Sequence, residues 1–538
     1  MTGYRRLNQD RIPSRKSFAG NKYRLGPNLK IATMTVYRSE AISSKDIAVF
    51  NPERESMISA NPWLYIIVSA LLMVPASGMP VTPNEQVNLP VLLDSASPTS
   101  LEERKIGDRI MRHLRREAPL HTDPLVRSYT EFLLYRLASA SQLQMSDRQL
   151  SLFVIDNPTL NAFAAPGGVV AINLGLFTHA DTEHEFASIL AHELAHLSQR
   201  HYARNVDQNK RLTLPYLASI FASAFLISQG NADAGLASLT ASQAALTSRR
   251  LNYSRSIEQE ADRIGIQTMA RAGLDPEAMS GMFLRLSRAN RFNQKLPEFL
   301  LTHPVTENRI ADARGQAARY PKKKHASSVD FGLMKSRVEL FHESPEDARE
   351  TYQASLARNP ESEVLRYRLA LALSKDLAHD EAIAMITKLV EKHPDRLAYL
   401  LTRAEILITA NQAWRALPIL EEYIRINPDN HPAAMIHARA LAQEKRFKEA
   451  QRVLEHQVRL RPDDIQVKIE LAEISGLSAD IITVHRTRAE VFQLRGDFDE
   501  ALAQLEYALR KVGKEDHRTL AQISQRIEEI KELAEKSS

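Results

Sequence analysis

No cysteine occurs among the 538 residues. Disulfides, thiolate metal sites and cysteine nucleophiles are therefore excluded. An oxidising compartment is not excluded, because a protein with a sufficient core folds there without cross-links. An excess of one charge is also missing from most of the chain. Residues 1–62 hold eleven Lys/Arg against five Asp/Glu, and the remainder holds 59 against 60. The net charge of +5 is thus a property of the leader, and no basic groove for nucleic acid is expected. An apolar run long enough for a membrane span is missing from that leader too. Trp63 to Val74 reads WLYIIVSALLMV, twelve residues where a spanning helix needs about 20.

Small residues follow that run at Ala76, Ser77 and Gly78. An apolar core with a small-residue site is the pattern of a secretory signal peptide. A buried helix or an uncleaved anchor is the alternative. Residues 1–78 are read as a basic leader with a signal peptide near 57–78, and Met34 and Met57 as alternative starts. Residues 79–100 are rich in Pro, Ser and Thr and read as a linker.

The chain as a whole is an ordinary globular mixture, 44% apolar and 25% charged, long enough for two to four domains. A helical stretch is expected from Leu101 to about Ala140, then a strand over Ser151–Ile155. Two strand-like runs flank Pro166-Gly167-Gly168 within residues 161–177. A helix is expected from about Glu183 to Tyr202, with Thr182 and Glu185 at capping-box spacing. Another is expected from about Ile257 to Ala272. Residues 205–250 are rich in Ala, Ser and Leu, and Leu212 to Ser228 is strongly apolar. They read either as a core helical hairpin or as a lid or flap that touches a membrane surface.

The C-terminal half repeats. Pro360, Pro394, Pro428 and Pro462 stand 34 residues apart. Ala370 with Ala382, Ala404 with Ala416, and Ala438 with Ala450 keep the same phase; Ala472 continues it, and Ala489 with Ala501 repeats the offset after a break in register. Alanine lets two helices approach closely, and proline stops the second helix of each pair. This is the tetratricopeptide pattern, an α-solenoid over residues 335–535 whose concave face binds extended or helical segments.

Residues 101–325 carry the chemistry. His192-Glu193-Leu194-Ala195-His196 matches H-E-x-x-H. Residues four apart share a helix face, so both imidazoles reach one ion. Glu193 beside them is the candidate general base for a zinc-activated water. The flanking Phe186, Ile189, Leu190, Leu194 and Leu197 argue for a buried helix rather than a surface helix with two unrelated histidines. A third ligand is needed, and the candidate is Glu258, with Asp262 one turn later to accept the free ring N–H of a ligand histidine. Glu260 falls off that face and reads as solvent-facing. His201, five residues past His196, reads as structural.

HELAHLSQRH, SRSIEQEAD and THPVTENRI together resemble the metallopeptidase family that includes HtpX and the CAAX prenyl proteases. More narrowly they are similar to its soluble periplasmic branch with a tetratricopeptide tail, the BepA type. The resemblance runs from about residue 90 onward. It implies a mainly α fold: a helical gluzincin domain with a small β-sheet whose edge strand holds the substrate backbone, followed by the repeats. It implies one zinc ion per chain on His192, His196 and Glu258, with Glu193 catalytic and Arg309 in support. His303 has three readings: a donor to the oxyanion, a fourth ligand that keeps the enzyme latent, or a structural histidine. The resemblance favours the fourth ligand. It further implies a periplasmic endopeptidase with chaperone-like activity, acting on misassembled outer-membrane proteins beside the β-barrel assembly machinery. An assembly chaperone with an inessential metal site is the alternative; a cytosolic protease would require that Trp63–Val74 is no signal.

Overall fold

The computed structural model describes residues 98–143, 150–208, 244–292, 298–322, 325 and 328–537. The expected leader, signal peptide and most of the linker lie outside these residues, as do residues 209–243 of the expected hairpin or lid. Among the described residues no helix is long and apolar enough to cross a membrane.

The single helical stretch expected over residues 101–140 is two helices, α1 (Pro98–Glu117) and α2 (Pro124–Ala140). Pro119 and Pro124 fall at the break. Asp123 caps α2, its side chain accepting the Leu125 and Val126 N–H groups, and Pro124 occupies the first turn, where its missing donor costs nothing. Strands β1 (Ser151–Ile155), β2 (Ala162–Ala165) and β3 (Val169–Asn173) form one sheet in the order β1-β3-β2. β1 runs parallel to β3 and β2 antiparallel to it, so β2 is an edge strand. The Pro166-Gly167-Gly168 turn needs its glycines, at φ +83° and +84°. A Cβ at Gly107 of α1 would meet the Pro166 carbonyl at 2.5 Å, so α1 lies directly on this turn. β3 is buried on both faces: Val169 and Ala171 pack beneath α1, Val170 and Ile172 in the main core.

That core is built around α4 (Glu183–Ser198), which follows the short α3 (Gly175–His179) and is buried from Glu185 to Ala195. Thr182 caps α4 through the Glu185 N–H, but the Glu185 carboxylate takes the Asp181 N–H rather than closing a reciprocal box. The helix ends four residues earlier than expected. Arg200 adopts φ +49°, and a new helix, α5 (His201–Gln208), starts beyond it. The next helix starts earlier than expected: α6 spans Ala244–Arg271. It crosses α4 where side chains are small. A Cβ at Gly265 would stand 3.3 Å from the Ala191 backbone, and Ala195 packs with Ala261 and Ile264. Helices α7 (Ala278–Phe292), α8 (Glu298–Thr302) and α9 (Glu307–Ala317) complete this half.

The repeats follow as α10 (Val329–His342), α11 (Pro345–Arg358), α12 (Glu363–Lys375), α13 (His379–Lys392), α14 (Leu397–Thr409), α15 (Ala413–Ile426), α16 (His431–Gln443), α17 (Phe447–Leu460), α18 (Ile465–Leu477), α19 (Ile481–Arg495), α20 (Phe498–Lys511) and α21 (His517–Ser537). The phased alanines from Ala370 to Ala501 are all buried, and Pro394, Pro428 and Pro462 each stand just past a helix C-cap. The backbone keeps the same period: Leu377, Asn411, Lys445 and Ala479, again 34 apart, adopt positive φ where the two helices of a repeat join.

The array, expected to bind segments of other proteins, is in contact with the chain's own α2. Arg127 of α2 pairs with Asp464 of α18 at 2.8 Å, and Arg461 pairs with Glu131. Arg337 of α10 bonds at once to Asp123 (2.6 Å), Glu405 of α14 (2.8 Å) and the hydroxyls of Tyr367 and Thr402. Burial alone would raise the Asp123 and Asp464 carboxyls, but Arg337 and Arg127 hold both below the usual range. Such depressed groups stabilise the fold above their unfolded pKa, about 4, and lose that contribution as pH falls through the folded value. The urea midpoint is therefore expected to fall between pH 5 and pH 3, less steeply in Asp464→Asn. Arg337→Met, which strands two carboxylates, is expected to cost about 3–5 kcal/mol by urea unfolding at pH 7.

Candidate metal centre

Because α4 and α6 cross so closely, His192 and His196 on one meet Glu258 and Asp262 on the other. His192 and Glu258 are buried, and His196 is partly so. Three side chains converge: His192 Nε2 lies 3.1 Å from His196 Nε2 and 3.3 Å from Glu258 Oε2, and His196 Nε2 lies 3.4 Å from Glu258 Oε1. His303, just beyond α8, joins them, its Nδ1 3.3 Å from His192 Nε2 and 3.0 Å from Glu258 Oε2. Among the described residues these four form the one group with metal-ligand geometry. A tetrahedron with edges in this range has corners about 2 Å from its centre, the length of a zinc–imidazole bond. The donor set therefore fits a small, borderline-soft cation. Glu258 is held well below the usual carboxylate range: burial would raise it, but His303, His192 and His196 outweigh that.

Behind the donors stands a layer of polar partners. Asp262 Oδ1 lies 2.9 Å from His192 Nδ1. Arg309 clamps Asp262 with two bonds of 2.7 and 2.8 Å and reaches Glu258 Oε2 at 3.0 Å; its guanidinium lies over the Phe283 ring. The Asp262 carboxyl is held low by this guanidinium against the opposing effect of burial. Glu193 faces the same space from α4. Its Oε2 accepts the Ala164 N–H of edge strand β2 at 2.9 Å, and its Oε1 lies 3.6 Å from His303 Nε2. Burial pushes the Glu193 carboxyl up. A cleft of about 210 Å³ opens here, lined by Phe163, Ala164, Glu193, His196, Thr302 and His303.

Two residues depart from expectation. Glu260 does not simply face solvent: it bonds Arg204 at 2.6 Å and lies 3.3 Å from His201 Nε2. His201 is not remote: its Nδ1 lies 2.8 Å from His196 Nδ1. On an unbroken helix a residue five positions on points well away from His196. The left-handed Arg200 turns His201 back, and periodicity carries no sign of that break. Burial, then Arg204, lower the His201 imidazole to about 4.

The description "Peptidase family M48" matches residues 128–317, and a tetratricopeptide repeat pattern matches residues 407–474. The beta-barrel assembly-enhancing protease of Escherichia coli (strain K12) is 30% identical over 443 residues, 81% of this chain and 89% of that protein. The chain belongs to peptidase family M48. This M48 metallopeptidase is also similar to the beta-barrel assembly-enhancing protease of Yersinia pestis, 31% identical over 350 residues, 64% of this chain and 71% of that protein. A mitochondrial metalloendopeptidase of Schizosaccharomyces pombe is 32% identical over 182 residues, 34% of this chain and 50% of that protein. The M48 match spans α4, α6 and α9, the helices that carry His192, Glu193, His196, Glu258, Asp262 and Arg309.

The helix crossing sets how closely these donors approach. Gly265→Val inserts a branched side chain between α6 and the Ala191 backbone. It is expected to cost about 1–3 kcal/mol in urea unfolding and to lower metal retention against a chelator.

Proposed function

We propose that this M48 peptidase holds zinc on His192, His196 and Glu258, and cleaves peptide bonds with Glu193 as general base. The convergence of those three donors at 3.1 to 3.4 Å beside the Glu193 carboxylate carries the reading. A set of imidazoles and one carboxylate, with no thiolate in the chain, suits zinc in a hydrolase. When bound, the metal supplies a Lewis acid that makes water ionisable near neutral pH.

The chain's own groups do the rest. Glu193 Oε2 is engaged by the Ala164 N–H, which leaves Oε1 to take a proton from the attacking water and return it to the departing nitrogen. Asp262 fixes the His192 ring through Nδ1, and Arg309 fixes Asp262. Among the described residues no strand pairs with the outer edge of β2, which runs beside Glu193; an extended substrate would add there to the sheet as a further strand.

His303 decides the resting state. Its Nδ1 sits among the donors, in contact with Glu258 and His192, and there it would fill the fourth position that a hydrolytic zinc site keeps open. On this reading the enzyme is latent until a client displaces His303. Similarity to the beta-barrel assembly-enhancing proteases supports a substrate class of outer-membrane β-barrel proteins, a periplasmic site of action and the β-barrel assembly machinery as partner. The repeats would hold clients, so that assistance and degradation share one molecule. The contact of His303 with His192 and Glu258 favours, as second reading, an assembly chaperone whose protease is dormant.

Glu193→Gln keeps the ligands and removes the base. Hydrolysis of an unfolded substrate is expected to drop by about 10²–10⁴-fold while metal content by elemental analysis stays the same. Loss of metal in that variant, or full activity, would overturn the assignment of the base. Glu258→Gln is expected to lose the metal. His303→Ala is expected to raise cleavage of a loosely folded substrate such as casein; unchanged or lower cleavage would reject latency.

A further inference from the structure

The two imidazoles of the H-E-x-x-H helix are backed in different ways. His192 leans directly on a carboxylate, Asp262, which Arg309 clamps. Behind His196 the group in contact is a second imidazole. His201 Nδ1 lies 2.8 Å from His196 Nδ1 and its Nε2 lies 3.3 Å from Glu260 Oε2, which Arg204 Nη2 reaches at 2.6 Å. Both chains thus end in a carboxylate held by an arginine, and the second is one histidine longer.

The chemistry of the ring nitrogens sets the direction of this chain. Two imidazole nitrogens at 2.8 Å share one proton. His196 turns Nε2 toward His192 and Glu258, so a metal takes that nitrogen and the ring's proton stays on Nδ1. That N–H donates to His201 Nδ1. His201 then carries its own proton on Nε2 and donates it to Glu260. Every donor has one acceptor, and the chain closes on the Arg204 guanidinium.

The fold holds His201 in place for this. Arg200 takes the left-handed conformation that reverses the chain at the end of α4, and Glu103 of α1 reaches its guanidinium at 3.4 Å. His201 is buried at the start of α5, its ring edge-on to His196 with centroids 4.8 Å apart.

We propose that His201 is a positioning residue of the metal centre: it accepts the Nδ1–H of His196, fixes that ring's tautomer and orientation, and is itself anchored by Glu260 and Arg204. The inference rests on His196 being a metal ligand. A histidine that only packed α5 against α4 would not affect the metal, and this separates the two roles.

The test uses the full chain, zinc-loaded, in competition with a chromogenic chelator, with the urea midpoint of each variant as a check on folding. His201→Ala is expected to release zinc about 10–100-fold more readily. His201→Gln is expected to recover most of the loss, because its amide oxygen can accept the same N–H. Glu260→Gln is expected to weaken retention less than His201→Ala does. Zinc retention unchanged in His201→Ala, or as weak in His201→Gln as in the alanine variant, would overturn the proposal. Should His201→Ala not fold, Glu260→Gln decides, and retention equal to the parent's would overturn it. A parent chain that takes up no zinc would instead remove the proposed centre itself.

Discussion

Everything at the centre depends on the close approach of α4 and α6. Two helices separated by more than forty residues of sequence must pack with almost nothing between them, because imidazoles on one and carboxylates on the other have to meet at a point. Ala191, Ala195, Ala261 and Gly265 make that possible. The chemistry of the pair also makes it costly to leave incomplete. Buried carboxylates and imidazoles without partners would oppose folding, so Arg309, Asp262, Glu260 and Arg204 are as much part of the solution as the donors themselves.

Much of this was legible in the residues. H-E-x-x-H spacing placed two imidazoles on one face, and the turn from Glu258 to Asp262 gave a carboxylate pair on a second helix. The repeat period was legible because each unit meets the same steric demand: a small residue where two helices touch, and a proline where the second must stop. The left-handed positions at Leu377, Asn411, Lys445 and Ala479 share that period yet carry four different residue types, so residue identity does not reveal them. Pro119 and Pro124 mark the break between α1 and α2, but apolar spacing continues across it.

The contact of His201 with His196 was out of reach for a different reason. Helical periodicity assumes an unbroken helix, and Arg200 violates it with a single dihedral. The docking of α2 against the repeats was equally hidden. Arg127 and Asp464 are 337 positions apart, and nothing local marks an ion pair that forms only when the solenoid closes on the peptidase half. Charge balance across the folded part was visible, but which charges face one another depends on topology.

Arg337 ties Asp123, at the start of α2, to Tyr367, Thr402 and Glu405 in two successive repeats. A solenoid is usually a string of interchangeable units, open to loss or gain of repeats over evolutionary time. Here a single guanidinium reads the register of two units against the peptidase half. Inserting or deleting one repeat before α14 would present Arg337 with the wrong pair of helices. A repeat before α14 therefore cannot be gained or lost without breaking this network, whereas those beyond α14 leave Arg337 untouched.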